Sequence, residues 1–215
     1  MIDTAAKRFM TKLEKILRIS LALAVVMFGS RPTRATTVIP PTFEEMTDRA
    51  ELIIVGKVIN THAEWRVVGT HRVIFTLVEF EKTEVLKGEA GASVTLQFLG
   101  GTVGDVTMEI SGVPTFSAGD REFLFVKGNG IQFCPVVGVF HGKFGVRKDQ
   151  KTGRDILVRH NGDALRDVTE IGAGAVSGFG PNRAQLSIAA DAEPISLDDF
   201  KSKVRARVAI GAQKK

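Results

Sequence analysis

The sequence predicts a mostly β fold, a small antiparallel barrel with a short N-terminal helix before it and a C-terminal helix after it. Three observations predict it. Glycine-punctuated β stretches run from Leu52 to about His160. Two capping-box spacings, Thr42 with Glu45 and Ser196 with Asp199, mark helix starts on either side of them. The segment REFLFV, 121–126, is apolar on both faces, as a strand in the interior of a sheet must be.

Each element follows in order. After Pro40-Pro41, the helix FEEMTDRA places Phe43, Met46 and Ala50 on one side, the spacing of a helix lying on a sheet. ELIIVGKVIN and THAEWRVV then lead to a turn at Gly69-Thr70, and HRVIFTLVEFEKTEVLKG returns, giving one long hairpin. In the return strand Val73, Phe75 and Leu77 share a face and Val78 and Phe80 take over on the other, a phase change that predicts a bulge or a strand buried on both sides, as in a strongly coiled small barrel. SVTLQFL alternates strictly, and VTMEI is a further strand beyond the reversal at Gly100-Gly101 and Gly104-Asp105. SGVPTFSAGD is a turn-rich connection into REFLFV. The stretch IQFCPVVGVFHGKFGVRKD is expected to be β, broken by Pro135, Gly138, Gly142 and Gly145. KDQKTGRD forms a hairpin loop into ILVRH, residues 166–195 form a flexible Gly/Ala-rich linker, and 196–215 form a basic helix.

Composition limits the function classes. The 215 residues are 44% hydrophobic, enough for one domain with a core, and the formal charge is +5. That excess lies in the first 35 residues, where Lys7, Arg8, Lys12, Lys15, Arg18, Arg31 and Arg34 face only Asp3 and Glu14; the remainder carries 22 charges of each sign. A neutral body gains little from phosphate neutralisation, so nucleic acid is not an expected partner. The basic start, the apolar run ISLALAVVMF and Thr33-Arg34-Ala35 have the order of a secretory signal peptide, 1–35, cleaved after Ala35. Ten apolar residues rise only ~15 Å as a helix, half of what a membrane span needs. The expected location is therefore the periplasm or the cell exterior, with no membrane attachment after cleavage. Cys134 is the one cysteine, so no intrachain disulfide forms, and its apolar surroundings predict a buried thiol.

No convergent catalytic, cofactor or metal set is expected. His62, His71, His141 and His160 lack metal-ligand spacing. A turn near Gly69 pairs His71 with Arg66 and keeps His62 nearer Phe75, away from His71. His141 follows Cys134 by seven residues, which puts the two on opposite faces of a strand unless Gly138 hosts a bulge. GAGAVSG, from Gly172, has a dinucleotide-like glycine pattern without a strand or helix around it. Trp65 is expected to pack on the barrel, and the lysines and arginines at 201, 203, 205 and 207 to form a solvated helix face.

The short helix, the long hairpin ending in Leu86-Lys87-Gly88 and the later strand from Gly119 to Phe125 resemble the netrin-type module of the tissue inhibitors of metalloproteinases over residues 42–150. That resemblance implies an OB-like five-stranded barrel at 36–165. Asp48–Val58, Val85–Gly88 and Val136–Phe144 also resemble segments of uncharacterised exported bacterial proteins. The inhibitors of that family bind zinc through a disulfide-held N-terminal cysteine, which this sequence lacks. The function expected is a non-enzymatic exported module that binds another exported protein through loops at one barrel end. The alternative is a secreted hydrolase with its site around His141 and Asp149.

Overall fold

The computed structural model describes residues 40–172 and 192–213. These fall in the compact unit Val38–Lys215; the other unit, Met1–Thr37, lies outside them, and with it the expected signal segment. Most of the expected linker, including nearly all of GAGAVSG, also lies outside the described residues.

Helix α1, Phe43–Arg49, begins as its sequence requires: Thr42 Oγ1 accepts from Glu45 N–H and the Glu45 carboxylate accepts from Thr42 N–H, each at 3.2 Å. Strands β1 (Leu52–Val68) and β2 (His71–Lys87) form the long hairpin. Its turn is the two-residue Gly69-Thr70, so His71 pairs with Val68 and Val73 with Arg66, a tighter register than expected. Register shifts fall at Ile53/Ile54, Val55/Gly56 and Val58/Asn60 and not at Leu77/Val78, where the pairing is continuous and Ile74, Val78 and Phe80 are buried in one alternation, so the expected phase change is absent.

Strand β3 (Ser93–Leu99) pairs with β2, and β6 (Arg121–Val126) pairs with the base of β1, followed by β7 (Lys143–Lys148) and β8 (Asp155–Val158). The six-stranded antiparallel order is β3-β2-β1-β6-β7-β8. Its two end strands do not pair, so the ladder is an open sheet rather than a closed barrel. As expected of an interior strand, β6 buries both faces, Phe123 and Phe125 on one and Leu124 and Val126 on the other.

Two strand expectations are corrected. VTMEI does not join the main sheet: Gly100 and Gly101, at φ 103° and 129°, turn the chain aside, and β4 (Gly101–Val103) and β5 (Val106–Met108) make a separate two-stranded ribbon. A side chain at Gly101 would meet Thr76 Oγ1 at 2.3 Å and Ala63 Cβ at 3.1 Å, which is how closely the ribbon lies on the hairpin. From Ile131 to Gly142 the chain makes turns, and only 143–148 becomes strand. The turns still cover the β3 edge. Asn129 stands in for a strand residue there, its Oδ1 accepting from Gln97 N–H at 3.0 Å and its Nδ2 donating to Thr95 O at 2.8 Å, while Leu99 N–H donates to Phe133 O at 2.8 Å. At the other end Val158 bridges to Ala164 and Ile156 to Ser196, covering β8.

Helix α2, Leu197–Gln213, buries Leu197, Phe200 and Val204 against the same sheet face as α1. Its cations are partly solvated, as expected, but they are also ion-paired. Arg207 pairs with Asp48 of α1, Lys201 and Arg205 with Glu84 of β2, and Lys203 with Asp167, so the helix is fastened by charge beside its apolar stripe.

Candidate functional site

The opposite sheet face carries Ile54, Val58, Val78, Phe80, Leu96 and Leu124, covered by loops and by the ribbon instead of helices. Where the ribbon leaves the hairpin a groove of about 710 Å³ remains, a size suited to a ligand or an inserted side chain. Its floor is Thr61 of β1, Thr76 of β2 and Phe98 of β3; its walls are the ribbon, with Thr102, Thr107 and Met108, and the segment 109–116. Thr76 Oγ1 donates to Gly100 O at 2.7 Å, and the hydroxyls of Thr102 and Thr107 lie 3.0 Å apart, so both pairs hold the ribbon in place. The hydroxyls of Thr61, Ser111 and Thr115 are available to a ligand. Glu109 is the one charged residue in the lining. The groove is thus apolar with neutral hydrogen-bonding groups, and its electrostatics disfavour an anion.

Phe116 closes one end, its ring edge-on to Phe80 at 5.4 Å and tilted on Phe98 at 5.0 Å. Lys143 Nζ lies 4.9 Å from the Phe116 ring centre and 3.3 Å from a carboxylate oxygen of Glu122, which is fully buried. Burial pushes the Glu122 carboxyl above its ordinary range, and Lys143 and then Arg147 oppose that shift. Glu122 is opposite Gly56 in the β1–β6 register, and a side chain at Gly56 would meet Phe80 Cβ and the Glu81 carbonyl oxygen, each at 3.2 Å.

His141, the residue of the hydrolase alternative, lies in a different cluster. His141 and His160 both pack on Phe140, each ring centre 4.2 Å from its own, and they also approach each other, with centres 5.9 Å apart. Burial lowers both pKa values; His160 lowers His141 further, and Arg159 and Lys143 lower His160. Both shifts favour the neutral imidazole. Val139, just before Phe140, adopts φ 65°, a left-handed conformation rare for a β-branched residue. Asp149 is not its neighbour: it sits in the β7–β8 turn, its carboxylate accepting from Thr152 N–H at 3.0 Å and from Thr152 Oγ1, bonds that lower its pKa. Cys134 is buried as expected, with burial pushing its thiol up to about 11, so it stays protonated at neutral pH. Its Sγ lies 3.8 Å from Val139 O.

His62 pairs with Leu77 and His71 with Val68, so the hairpin histidines stay apart. Trp65 is 36% exposed on the distal hairpin, with the Arg72 guanidinium 5.0 Å from its ring centre; Arg72, not a barrel wall, covers it. The groove, the Glu122–Lys143 pair and the approach of His160 to His141 are not among the features expected from the sequence. The signal for the second was Glu122 in an otherwise apolar interior strand; the groove depends on the kink at Gly100-Gly101 and has no local signature. Among the described residues no group of three or more His, Cys, Asp or Glu could hold a metal ion, and no helix is long and apolar enough to cross a membrane. No protein-family model matches the chain, and no curated protein matches it.

Proposed function

We propose that the chain is an exported, non-enzymatic binding module that engages another exported protein at the groove between the β1–β2 hairpin, the ribbon and segment 109–116. The observation that carries this reading is the groove itself: a preformed concavity of about 710 Å³ whose lining combines apolar side chains with neutral hydroxyls. Such a lining suits recognition of an apolar side chain beside a peptide group. The run β3-β2-β1-β6-β7 contains the five strands that an OB-like barrel of the netrin type would use, with the turns at 129–133 bonded along the open β3 edge. That arrangement supports the OB-like reading, in which loops at one end bind and the barrel holds them.

The test is reversible crosslinking of the secreted chain in its native host, in parallel with Thr115→Trp, which fills the groove from an exposed wall position. One protein recovered in stoichiometric amount with the parent chain, and at least tenfold less with Thr115→Trp, supports the reading; equal recovery by both chains overturns the groove as the site.

A second reading has its own observation in the cluster of His141, Phe140 and His160 beside the strained Val139. It is a hydrolase using His141 with His160 nearby in place of Asp149. Ester, peptide or glycoside turnover that disappears in His141→Ala would establish it.

A further inference from the structure

Strand register assigns a direction to every backbone group of the distal hairpin. On β3, Gln97 and Leu99 donate away from β2, to Asn129 and Phe133. Gln97 is opposite Leu77 and Leu99 opposite Phe75, so the backbone groups of Leu77 and Phe75 point at β1. Their β1 partners are His62 and Glu64. The alternate residues Thr61, Ala63, Trp65 and Val67 therefore point their N–H and C=O groups away from β2. Gly100 N–H donating to Ile74 O agrees, since Ile74 lies opposite Trp65 in the same phase.

On that outer side β1 is paired with β6 only from Leu52 to Lys57, and Val58 completes the edge with Asp120 O and Gly119 N–H, both at 2.8 Å. Beyond the bulge at Val58/Asn60 no backbone bond among the described residues reaches the outer groups of Thr61, Ala63, Trp65 or Val67. The other two edges of the main sheet are covered, β3 by Asn129 and Phe133 and β8 by Ala164 and Ser196. The distal β1 edge also lacks the usual protections: THAEWRVV has no proline and no lysine, and its two charges, Glu64 and Arg66, are paired with each other at 2.6 Å. Thr61 lines the groove and Ala63 touches the ribbon, so this edge and the groove share one sheet face.

We propose that the partner binds as an added β-strand: an extended segment of another protein pairs with Thr61–Val67 in line with β6 and places an apolar side chain in the groove. The inference rests on the protein-binding reading above and names how that partner is held. Seven edge residues span about 20 Å, room for a strand of roughly six residues. Main-chain bonds to Thr61, Ala63, Trp65 and Val67 supply affinity, and the groove selects the side chain. Glu109, the lining's one charge, disfavours an acidic residue at that position.

The probe is a peptide selected on the full chain from a displayed library of random twelve-residue peptides, and the readout is amide hydrogen exchange with and without it. Binding is expected to slow exchange at Ala63 and Trp65 at least tenfold and to leave His62 and Glu64, already bonded to β2, unchanged. Ala63→Pro removes an outward N–H and is expected to weaken the peptide at least tenfold; Val67→Pro, at the exposed tip, repeats the test where Ala63→Pro does not fold. Protection confined to residues 109–116 overturns strand addition while leaving groove binding in place. So does a library without binders when crosslinking still recovers a Thr115-dependent partner. Protection of the same amides that rises with protein concentration in the peptide-free chain overturns the assignment to another protein, because a second copy then occupies the edge.

Discussion

The two faces of the main sheet are made by the same strands and finished differently. One is covered by α1 and α2, with Phe43, Phe123, Phe125, Phe144 and Phe200 in mutual ring contact and salt bridges around the rim. The other is covered by loops and the ribbon, holds the buried Glu122–Lys143 pair, and ends in the groove. Large rigid rings packed under helices suit stability, whereas a face closed by turns leaves concavity and free backbone for binding. The difference separates the part of the molecule that holds the fold from the part that leaves a groove and an open strand edge.

The largest effect should come from the helix-covered face. Phe200 is fully buried and meets Phe43, Phe123, Phe125 and Phe144, with centroid distances between 4.9 and 6.3 Å. Phe200→Ala and Phe123→Ala should each cost ~3–5 kcal/mol, read by chemical denaturation. Losses below about 1 kcal/mol would mean that α2 is not part of the cooperative unit, and the comparison would fail on its stable side.

How much of this contrast the sequence revealed differs by face. Helix periodicity and capping boxes are local, so α1, α2 and their apolar stripes were legible, as was REFLFV as an interior strand. The pairing of the α2 cations was not, because Glu84 lies 117 and 121 residues from Lys201 and Arg205. On the other face little was legible. Asn129 substitutes for a strand residue through its side chain, and alternation cannot reveal that; the ribbon departs from the sheet on two glycine dihedrals. The alternative reading joined His141 to Asp149, but the β7–β8 pairing brings His160 beside His141 and leaves Asp149 in the turn.

The loop-covered face should show itself in pH dependence. Glu122 keeps its proton to higher pH folded than unfolded, because burial raises its pKa from 4.5. The native state then binds more protons than the unfolded state as pH rises from about 4.5 through the raised value, so stability falls across that window. The histidines act in the opposite sense: both are lowered from 6.5, the unfolded chain takes up protons first, and stability falls as pH drops below about 6.5. Denaturation midpoints measured from pH 4 to 8 should lose the first component in Glu122→Gln and retain the second. An unchanged profile in that variant would show that the carboxyl is solvated, and the contrast between a dry face and a polar one would lose its clearest marker.

The smallest effect tests whether charge fastens the helix-covered face or only decorates it. Glu84 on β2 accepts from Lys201 Nζ at 3.1 Å and from the Arg205 guanidinium, and its side chain is 30% exposed. Exposed single pairs contribute little, and a carboxylate shared by two cations on one helix stands at the upper end of that range. Glu84→Gln should therefore cost about 0.5–1 kcal/mol at low salt. The cost should shrink at high salt, since exposed pairs are screened over about 10 Å at 0.1 M ionic strength. Because Phe200 and Val204 remain buried in that variant, α2 should stay docked, and its amides should keep their protection in hydrogen exchange. Loss of protection along α2 with Glu84→Gln would reverse the order of contributions: the salt bridges, and not the phenylalanine cluster, would then hold the helix to the sheet.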